Sequence, residues 1–284
     1  MSSTLNELIS YNGLIQNQNQ LQHGAENRSF KYGDGVFETM HYSQGEIYFV
    51  DDHFERLVGG MFTLGLDTTL LYPIQICEDV KSLCEKKELE SARVRLTVFR
   101  KEGGAYMPET DQFHVIITAE EIPSGGYHLN QKGLRLGLYS EIRKPVNALS
   151  GVKSANALLY VLAARYARDN GWDESLLLNE NGRICEANSS NVFLVLADKR
   201  ILTPPLSEGI LPGVMRKNMI RWLRENNFQV DETVLLTEDF FRAEEVFLTN
   251  AVSGLRWAIA FREKRYFSTF TRKLVEQLNA SAVF

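Results

Sequence analysis

Cysteine is scarce, with three in 284 residues. Cys77, Cys84 and Cys185 are odd in number and form no C-x-x-C pair, which argues against a disulfide scaffold or a zinc knuckle and for a reducing compartment, the cytoplasm by default. Basic charge is not in excess either. With 31 Lys and Arg against 36 Asp and Glu, the formal net charge is -5, so bulk electrostatics points to neither nucleic acid nor an anionic membrane. No apolar run approaches bilayer-spanning length, and the N-terminal MSSTLNELISYNG lacks the basic-then-apolar order of a leader, so the expectation is a protein that stays where it is made. Internal repeats, low-complexity tracts and a metal-ligand cluster are likewise missing from the pattern. What remains, 44% hydrophobic and 24% charged residues, is the composition of a globular chain of one large or two modest domains, with small-molecule chemistry as the leading class.

Turn signals organise that composition into an α+β pattern. VFETMHYSQGEIYFV reads as two strands joined at Ser43–Gly45, and DDHFERLVGGMFTLGL as a helix. IQICEDVKSLCEKKEL reads as a second helix, followed by the strands ARVRLTVFR and FHVIITAE around a Gly103–Gly104 turn. EIPSGGYHLN, residues 121–130, combines Pro, Ser and two glycines and reads as a linker between a first domain, 1–120, and a second, 131–284. The second would hold a helix from Ser154, the strands ESLLLN and SNVFLVLA joined by an Asn179–Gly182 turn, a loop feeding a helix near Val214, and the strand-rich EEVFLTNAVSGLRWAIA.

Three features of the second half bear on chemistry. In SGVKSANALLY, Lys153 stands just before the expected helix, whose apolar positions Leu158, Leu159, Leu162, Ala163 and Tyr166 recur at helical spacing. A cation is mildly disfavoured there, unless the lysine simply points into water. In NGRICEANSSNVFLV, Glu186 falls between a turn and an apolar strand; it is a strand-end glutamate in water or beside Arg183, or a carboxylate entering the core that needs a partner. SEGILPGVMRKN runs from a Gly- and Pro-containing loop straight into a helix, a start whose free N–H groups suit a phosphate, although many ordinary loops look the same. An amine, a carboxylate and a phosphate cradle are together the parts of a pyridoxal phosphate site: the amine forms the Schiff base, the carboxylate keeps the pyridine nitrogen protonated, and the cradle holds the phosphate.

Residues 186–216, EANSSNVFLVLADKRILTPPLSEGILPGVMR, resemble the signature segment of the class IV pyridoxal-phosphate aminotransferases, also called fold type IV. The shared elements are the glutamate, Asn191 followed by an apolar residue and an aromatic, Thr203, and the run LPGVMR; Asn188 departs from the smaller residue usual there. KYGDGVFETM, HFERL and SGVKSANALL extend the resemblance over nearly the whole chain. It implies a small α/β N-terminal domain and a larger pseudo-barrel C-terminal domain with the cofactor between them, in a homodimer whose partner contributes loops. It implies pyridoxal 5′-phosphate as cofactor, Lys153 as the catalytic Schiff-base lysine, Glu186 as the ring-nitrogen partner and Arg56 as a phosphate ligand, for which the alternative is a surface helix cation. The amides of Val214 and Met215 would form the phosphate cradle. Tyr32 and Phe37 match positions lining the substrate pocket; otherwise both read as core aromatics.

The family's main activities are branched-chain aminotransferase, D-amino-acid aminotransferase and 4-amino-4-deoxychorismate lyase, and all use the lysine to remove a proton from the carbon bearing the substrate nitrogen. FLTNAVSGL discriminates among them. Branched-chain enzymes resemble S-G-T-A-A-E there, with a threonine that helps hold the phosphate, whereas this chain has Asn250 and Ala251 at the Gly and Thr positions. An Asn-Ala pair resembles the lyases. His41 and Arg93 stand where branched-chain enzymes have an arginine and a tyrosine, while Arg95 matches one of their residues. Arg93 and Arg95 share one strand face, either as ligands for a substrate carboxylate or as solvated edge cations. The expectation is a lyase that releases pyruvate and 4-aminobenzoate, with an amino-acid aminotransferase of the branched-chain or D-amino-acid type as the alternative and a non-catalytic pyridoxal-phosphate-binding protein as the reading from another class.

Overall fold

The computed structural model of the chain describes residues 7–21, 24–124 and 126–280, so the first six residues of the polar N-terminal segment lie outside it. The chain divides into two compact units. One holds the described residues up to 124 together with Val152–Asn156, and the other holds Gly126–Gly151 with the described residues from 157 on. The break falls inside the segment expected as a linker, but the far side of that segment belongs to the second body: Tyr127 is buried, and Asn130 bonds the backbone of Trp257 in both directions.

The first unit is built on a six-stranded sheet. Its strands are β1 (Leu8–Tyr11), β2 (Leu14–Asn17), β3 (Gly35–Ser43), β4 (Glu46–Ile47), β5 (Ser91–Arg100) and β6 (Phe113–Glu121), in the spatial order β2-β1-β6-β5-β3-β4. The β1–β2 hairpin was not anticipated by the sequence reading. Its signal is Asn12-Gly13, both with positive φ (49° and 83°), which is the two-residue turn whose twist matches flanking strands. Between strands lie α1 (Arg28–Tyr32), α2 (Val50–Thr63) and α3 (Pro73–Lys86). Alternation along β3 and β5 sends Val36, Met40, Tyr42, Val94, Leu96 and Val98 into a core with Phe54, Leu57 and Met61 of α2 and Val80 and Leu83 of α3. Phe37, Thr39 and His41 therefore share the opposite face with Arg93, Arg95 and Thr97, which the β3–β5 register sets directly across from them.

The second unit carries nine strands: β7 (Leu134–Lys144), β8 (Glu174–Asn179), β9 (Ile184–Ala187), β10 (Asn191–Leu196), β11 (Ile201–Thr203), β12 (Val230–Glu232), β13 (Ala243–Asn250), β14 (Gly254–Phe261) and β15 (Lys264–Arg265). Eight follow the order β12-β11-β10-β13-β14-β7-β8-β9, and β15 pairs with β14. Helices α4 (Leu158–Asp169), α5 (Val214–Glu225), α6 (Thr237–Arg242) and α7 (Thr269–Ala280) complete it. β8, β9 and β10 are buried along their whole length, which is why β8 and β10 carry the unbroken apolar stretches LLL and VFLVL rather than alternation. No helix among the described residues is long and apolar enough to cross a membrane.

One expectation is corrected. The helix expected from Ser154 begins at Leu158, so Lys153 is not at its N-terminus and the helix dipole gives no account of that lysine. The backbone of residues 153–155 is already committed: Lys153 accepts from the Phe37 amide (2.9 Å), Ala155 donates to Gly35 (2.9 Å), and Ser154 bridges antiparallel to Val36. A peptide group in such a ladder is not available for a helical turn.

Candidate active site

Glu186 lies in β9, 2% exposed, rather than at a strand end in water. The β8–β9 register sets it opposite Leu177, and its carboxylate is surrounded by donors. Lys144, the last residue of β7 and 3% exposed, gives its ammonium to Oε1. The Tyr160 hydroxyl of α4 donates to the same oxygen at 2.8 Å. Oε2 accepts the Leu211 amide at 2.9 Å and a longer contact from Asn191 Nδ2 at 3.4 Å. Arg183, the expected alternative partner, turns instead to Glu208 at 2.9 Å. Burial, and then the Glu186 carboxylate, push the Tyr160 hydroxyl well above its ordinary value, so Tyr160 stays a donor. Burial also pushes the neighbouring Cys185 thiol up to about 12, which leaves it neutral.

The same bonds shape the cradle. Asn191 Nδ2 donates to the Leu211 carbonyl at 3.0 Å, so the residue that approaches Glu186 also pins the loop entering α5. A Cβ on Gly213 would lie 2.0 Å from Asn191 Oδ1, so only glycine permits this close approach. Gly213 is the N-cap of α5, and no side chain caps the helix. The first-turn amides of Val214 and Met215 therefore have no intrahelical acceptor, and the dipole there favours an anion. Thr203, part of the signature, instead donates its hydroxyl to the Val192 carbonyl at 2.8 Å. Asn188 pairs with Ser175 through its backbone amide (2.9 Å) and its side-chain oxygen (2.6 Å), which accounts for the departure from a smaller residue.

Asn250 ends β13 and organises the turn that follows. Its Oδ1 accepts the amides of Val252 (3.2 Å) and Ser253 (2.8 Å), and its Nδ2 reaches Ser190 Oγ at 3.3 Å. A glycine could supply none of these bonds. Arg256 holds Ser190 from the other side at 3.0 Å while pairing with Glu174. The Ala251 carbonyl accepts the Tyr127 hydroxyl at 2.9 Å.

In the first unit, Arg56 of α2 reaches Glu38 of β3 through two nitrogens, Nε at 2.8 Å and Nη2 at 2.5 Å. His53 Nδ1 lies 2.7 Å from the same carboxylate. Burial alone would raise the Glu38 carboxyl, but Arg56, with His53, more than offsets it and holds it down to about 2. A fork fixed on one side by a buried carboxylate is held in a set direction, so Arg56 is not a free surface cation. The low value has a consequence for stability. A carboxylate whose folded pKa lies below its unfolded one stabilises the fold above the unfolded value, about 4.5, and that contribution of about 3 kcal/mol disappears as pH falls towards 2. Chemical denaturation as a function of pH should show this decline between about pH 4.5 and 2, and Glu38→Gln should flatten it; an unchanged slope in the variant would assign the acid sensitivity elsewhere.

Phe37 is half-buried, with Lys153 Nζ 4.5 Å and the Arg95 guanidinium carbon 3.7 Å from its ring centre. It is thus a platform for two cations rather than a core aromatic. Arg93 is exposed and pairs with Glu120 at 3.2 Å. His41 is buried and stacks on Tyr48, ring centres 4.5 Å apart. Tyr32 is half-buried, its ring near Tyr106 and over-reached by Arg28.

Comparison with known proteins places these residues in a family. The profile of Amino-transferase class IV matches residues 35–258, a span that includes Phe37, Arg56, Lys153, Glu186, Val214 and Asn250. The chain belongs to that family. A Methanocaldococcus jannaschii protein assigned as a branched-chain-amino-acid aminotransferase is 29% identical over 248 residues, covering 87% of this chain and 85% of the relative. An aminodeoxychorismate lyase of Vibrio harveyi is 28% identical over 233 residues, covering 80% and 83%. The crystal structure of the Escherichia coli branched-chain amino acid aminotransferase superposes with a TM-score of 0.86 at 23% identity, covering 96% of this chain and 93% of that one. The fold is fold type IV, and as a class IV member the chain is a pyridoxal-phosphate-dependent enzyme. The residues present fit that cofactor: an uncapped helix start tightened by Gly213 suits its phosphate, and a buried carboxylate suits a protonated ring nitrogen.

Four residues of these networks escaped the sequence reading. Lys144 was missed because the strand ending in it was missed, although LRLGLYSEIRK has the branched and alternating character of β7. Tyr160 was counted only as part of an amphipathic helix. His53 carries no local signal; for Glu38 the clue was a carboxylate alternating with Val36, Met40 and Tyr42 on the inward face of β3, which calls for a partner.

Proposed function

We propose that the chain is a 4-amino-4-deoxychorismate lyase, releasing pyruvate and 4-aminobenzoate. The Asn250–Ala251 pair carries this reading. It replaces the Gly-Thr pair that branched-chain enzymes resemble, and Asn250 builds its turn with side-chain bonds that a glycine lacks. The lyase relative from Vibrio harveyi, similar over four fifths of the chain, supports it. Bound pyridoxal phosphate supplies the electron sink that lets the carbon next to the substrate nitrogen give up a proton. Lys153 takes that proton at Nζ; the electron pair left behind expels enolpyruvate as the carbon–oxygen bond at the neighbouring ring carbon breaks, and the proton goes to the departing group, which becomes pyruvate. Glu186 would hold the ring-nitrogen proton. Arg56 and the amides of Val214 and Met215 bind the phosphate. Asn250 orients the ring of the substrate. Arg95 is the better candidate for a remote substrate carboxylate than Arg93: it is half-buried with no carboxylate paired to it among the described residues, whereas Arg93 is exposed and held by Glu120.

An amino-acid aminotransferase is the second reading, favoured by Arg95, which matches a residue of the branched-chain enzymes, and by the Methanocaldococcus relative. The two separate in one experiment, in which 4-amino-4-deoxychorismate and, separately, a panel of L- and D-amino acids with 2-oxoglutarate are supplied and products followed. The lyase makes 4-aminobenzoate, and Asn250→Gly lowers that rate by about tenfold or more while depressing any amino-acid half-reaction less. A wild-type protein that makes no 4-aminobenzoate yet converts its cofactor to the amine form with ordinary amino acids is an aminotransferase.

A further inference from the structure

Lys144 is a buried cation to which the family resemblance gives no role. Its ammonium sits on Glu186 Oε1, beside the Tyr160 hydroxyl and 5.4 Å from the centre of the Tyr160 ring. The other carboxylate oxygen is held by the Leu211 amide and approached by Asn191. A carboxylate this deeply buried is costly unless a counter-charge and donors meet it; left unpaired it takes up a proton or moves. Cys185 and Tyr160, the other titratable groups against it, are both held neutral by burial, so Lys144 supplies the positive charge from within this unit. An amine touching the carboxylate that meets the ring nitrogen cannot also reach the aldehyde on the far side of the ring. Lys144 is therefore no substitute for Lys153.

We propose that Lys144 is a positioning residue for Glu186: its ammonium meets and aims the carboxylate, so that the partner of the ring nitrogen is formed before the cofactor arrives. The proposal rests on the reading of Glu186 as that partner. Asn191 extends the consequence to the cradle, because it bonds both Glu186 and the Leu211 carbonyl of the loop leading into α5. A carboxylate fixed by Lys144 thus also steadies the loop ahead of the phosphate-binding amides.

The test compares Lys144→Met and Lys144→Arg, and Lys144→Met combined with Glu186→Gln, in two measurements: thermal melting of the cofactor-free protein and titration with pyridoxal phosphate. Lys144→Met should lower the melting temperature by about 10 °C and weaken pyridoxal phosphate by at least about tenfold. Adding Glu186→Gln to Lys144→Met should restore most of the melting temperature, since no charge is then left unpaired, without restoring affinity. Lys144→Arg should keep both near wild type. Wild-type affinity in Lys144→Met, whatever its melting temperature, makes Lys144 a structural cation only and overturns the proposal. If Lys144→Met does not fold, Lys144→Gln, which keeps a donor without the charge, makes the same comparison with the same deciding result. A folded Glu186→Gln protein with wild-type affinity and turnover would instead remove the reading of Glu186 on which the proposal stands, and the melting data would show that separately.

Discussion

Lys153→Ala protein should lose turnover by about four orders of magnitude or more while still taking up pyridoxal phosphate. The loss is expected to be large because the proposed role gives one amine two tasks, covalent attachment and proton transfer, and no neighbour in its segment duplicates it: Val152, Ser154, Ala155 and Asn156 offer no amine. Retained binding is the outcome expected of the proposed phosphate ligands, since Arg56 is fixed by Glu38 and the Val214 and Met215 amides by the helix start, none of them through Lys153. The backbone of Lys153 is held by β3 whatever its side chain, so the fold should survive the substitution. Borohydride reduction of the wild-type holoenzyme followed by peptide mapping checks the assignment directly. The cofactor should be found on Lys153, and an adduct on Lys144 would sink both that assignment and the separation of roles between the two lysines.

Glu186→Gln should cost about three orders of magnitude in turnover and, unlike Lys153→Ala, should also destabilise the protein. From the sequence alone the residue is expected to matter for chemistry more than for folding. Its surroundings change that expectation. Lys144, Tyr160 and the Leu211 amide all donate to this carboxylate, and glutamine replaces one acceptor oxygen by a donor while leaving the Lys144 ammonium buried without its counter-charge. Removing one member of a buried pair typically costs about 3–5 kcal/mol. The catalytic loss has a separate origin: a neutral amide does not hold the ring nitrogen protonated, and the electron sink weakens. Denaturation midpoints and single-turnover rates on the same preparation separate the two effects. Near-normal turnover in a stably folded variant would contradict the assigned role.

The elements that the sequence revealed are those whose signals are local. The β3–β4 hairpin announces itself by Gln44-Gly45, α5 by a Pro-Gly entry and an amphipathic run, and the β5–β6 pair by branched residues flanking Gly103–Gly104. Lys153, Glu186, Val214 and Asn250 were singled out as candidates for another reason, a resemblance whose spacing survives over many residues. Position along the chain gave no information about partners. Arg183 is three residues from Glu186 and pairs elsewhere, whereas Lys144 is forty-two residues away and meets it, because β7, β8 and β9 lie side by side in one sheet.

By itself the sequence determined the α+β class and the family, and it singled out a candidate amine, carboxylate and cradle, since these depend on residue types at fixed spacing. Only the tertiary structure decided their state. It decided that Lys153 lies in an extended segment docked on β3 rather than at a helix start, because the peptide groups of residues 153–155 pair with Gly35 and Phe37 before any helix can claim them. It decided that Arg56 comes oriented by Glu38 and that Glu186 comes paired with Lys144, because burial makes an isolated ion too costly and so forces each one to be met by a partner that only folding brings within reach.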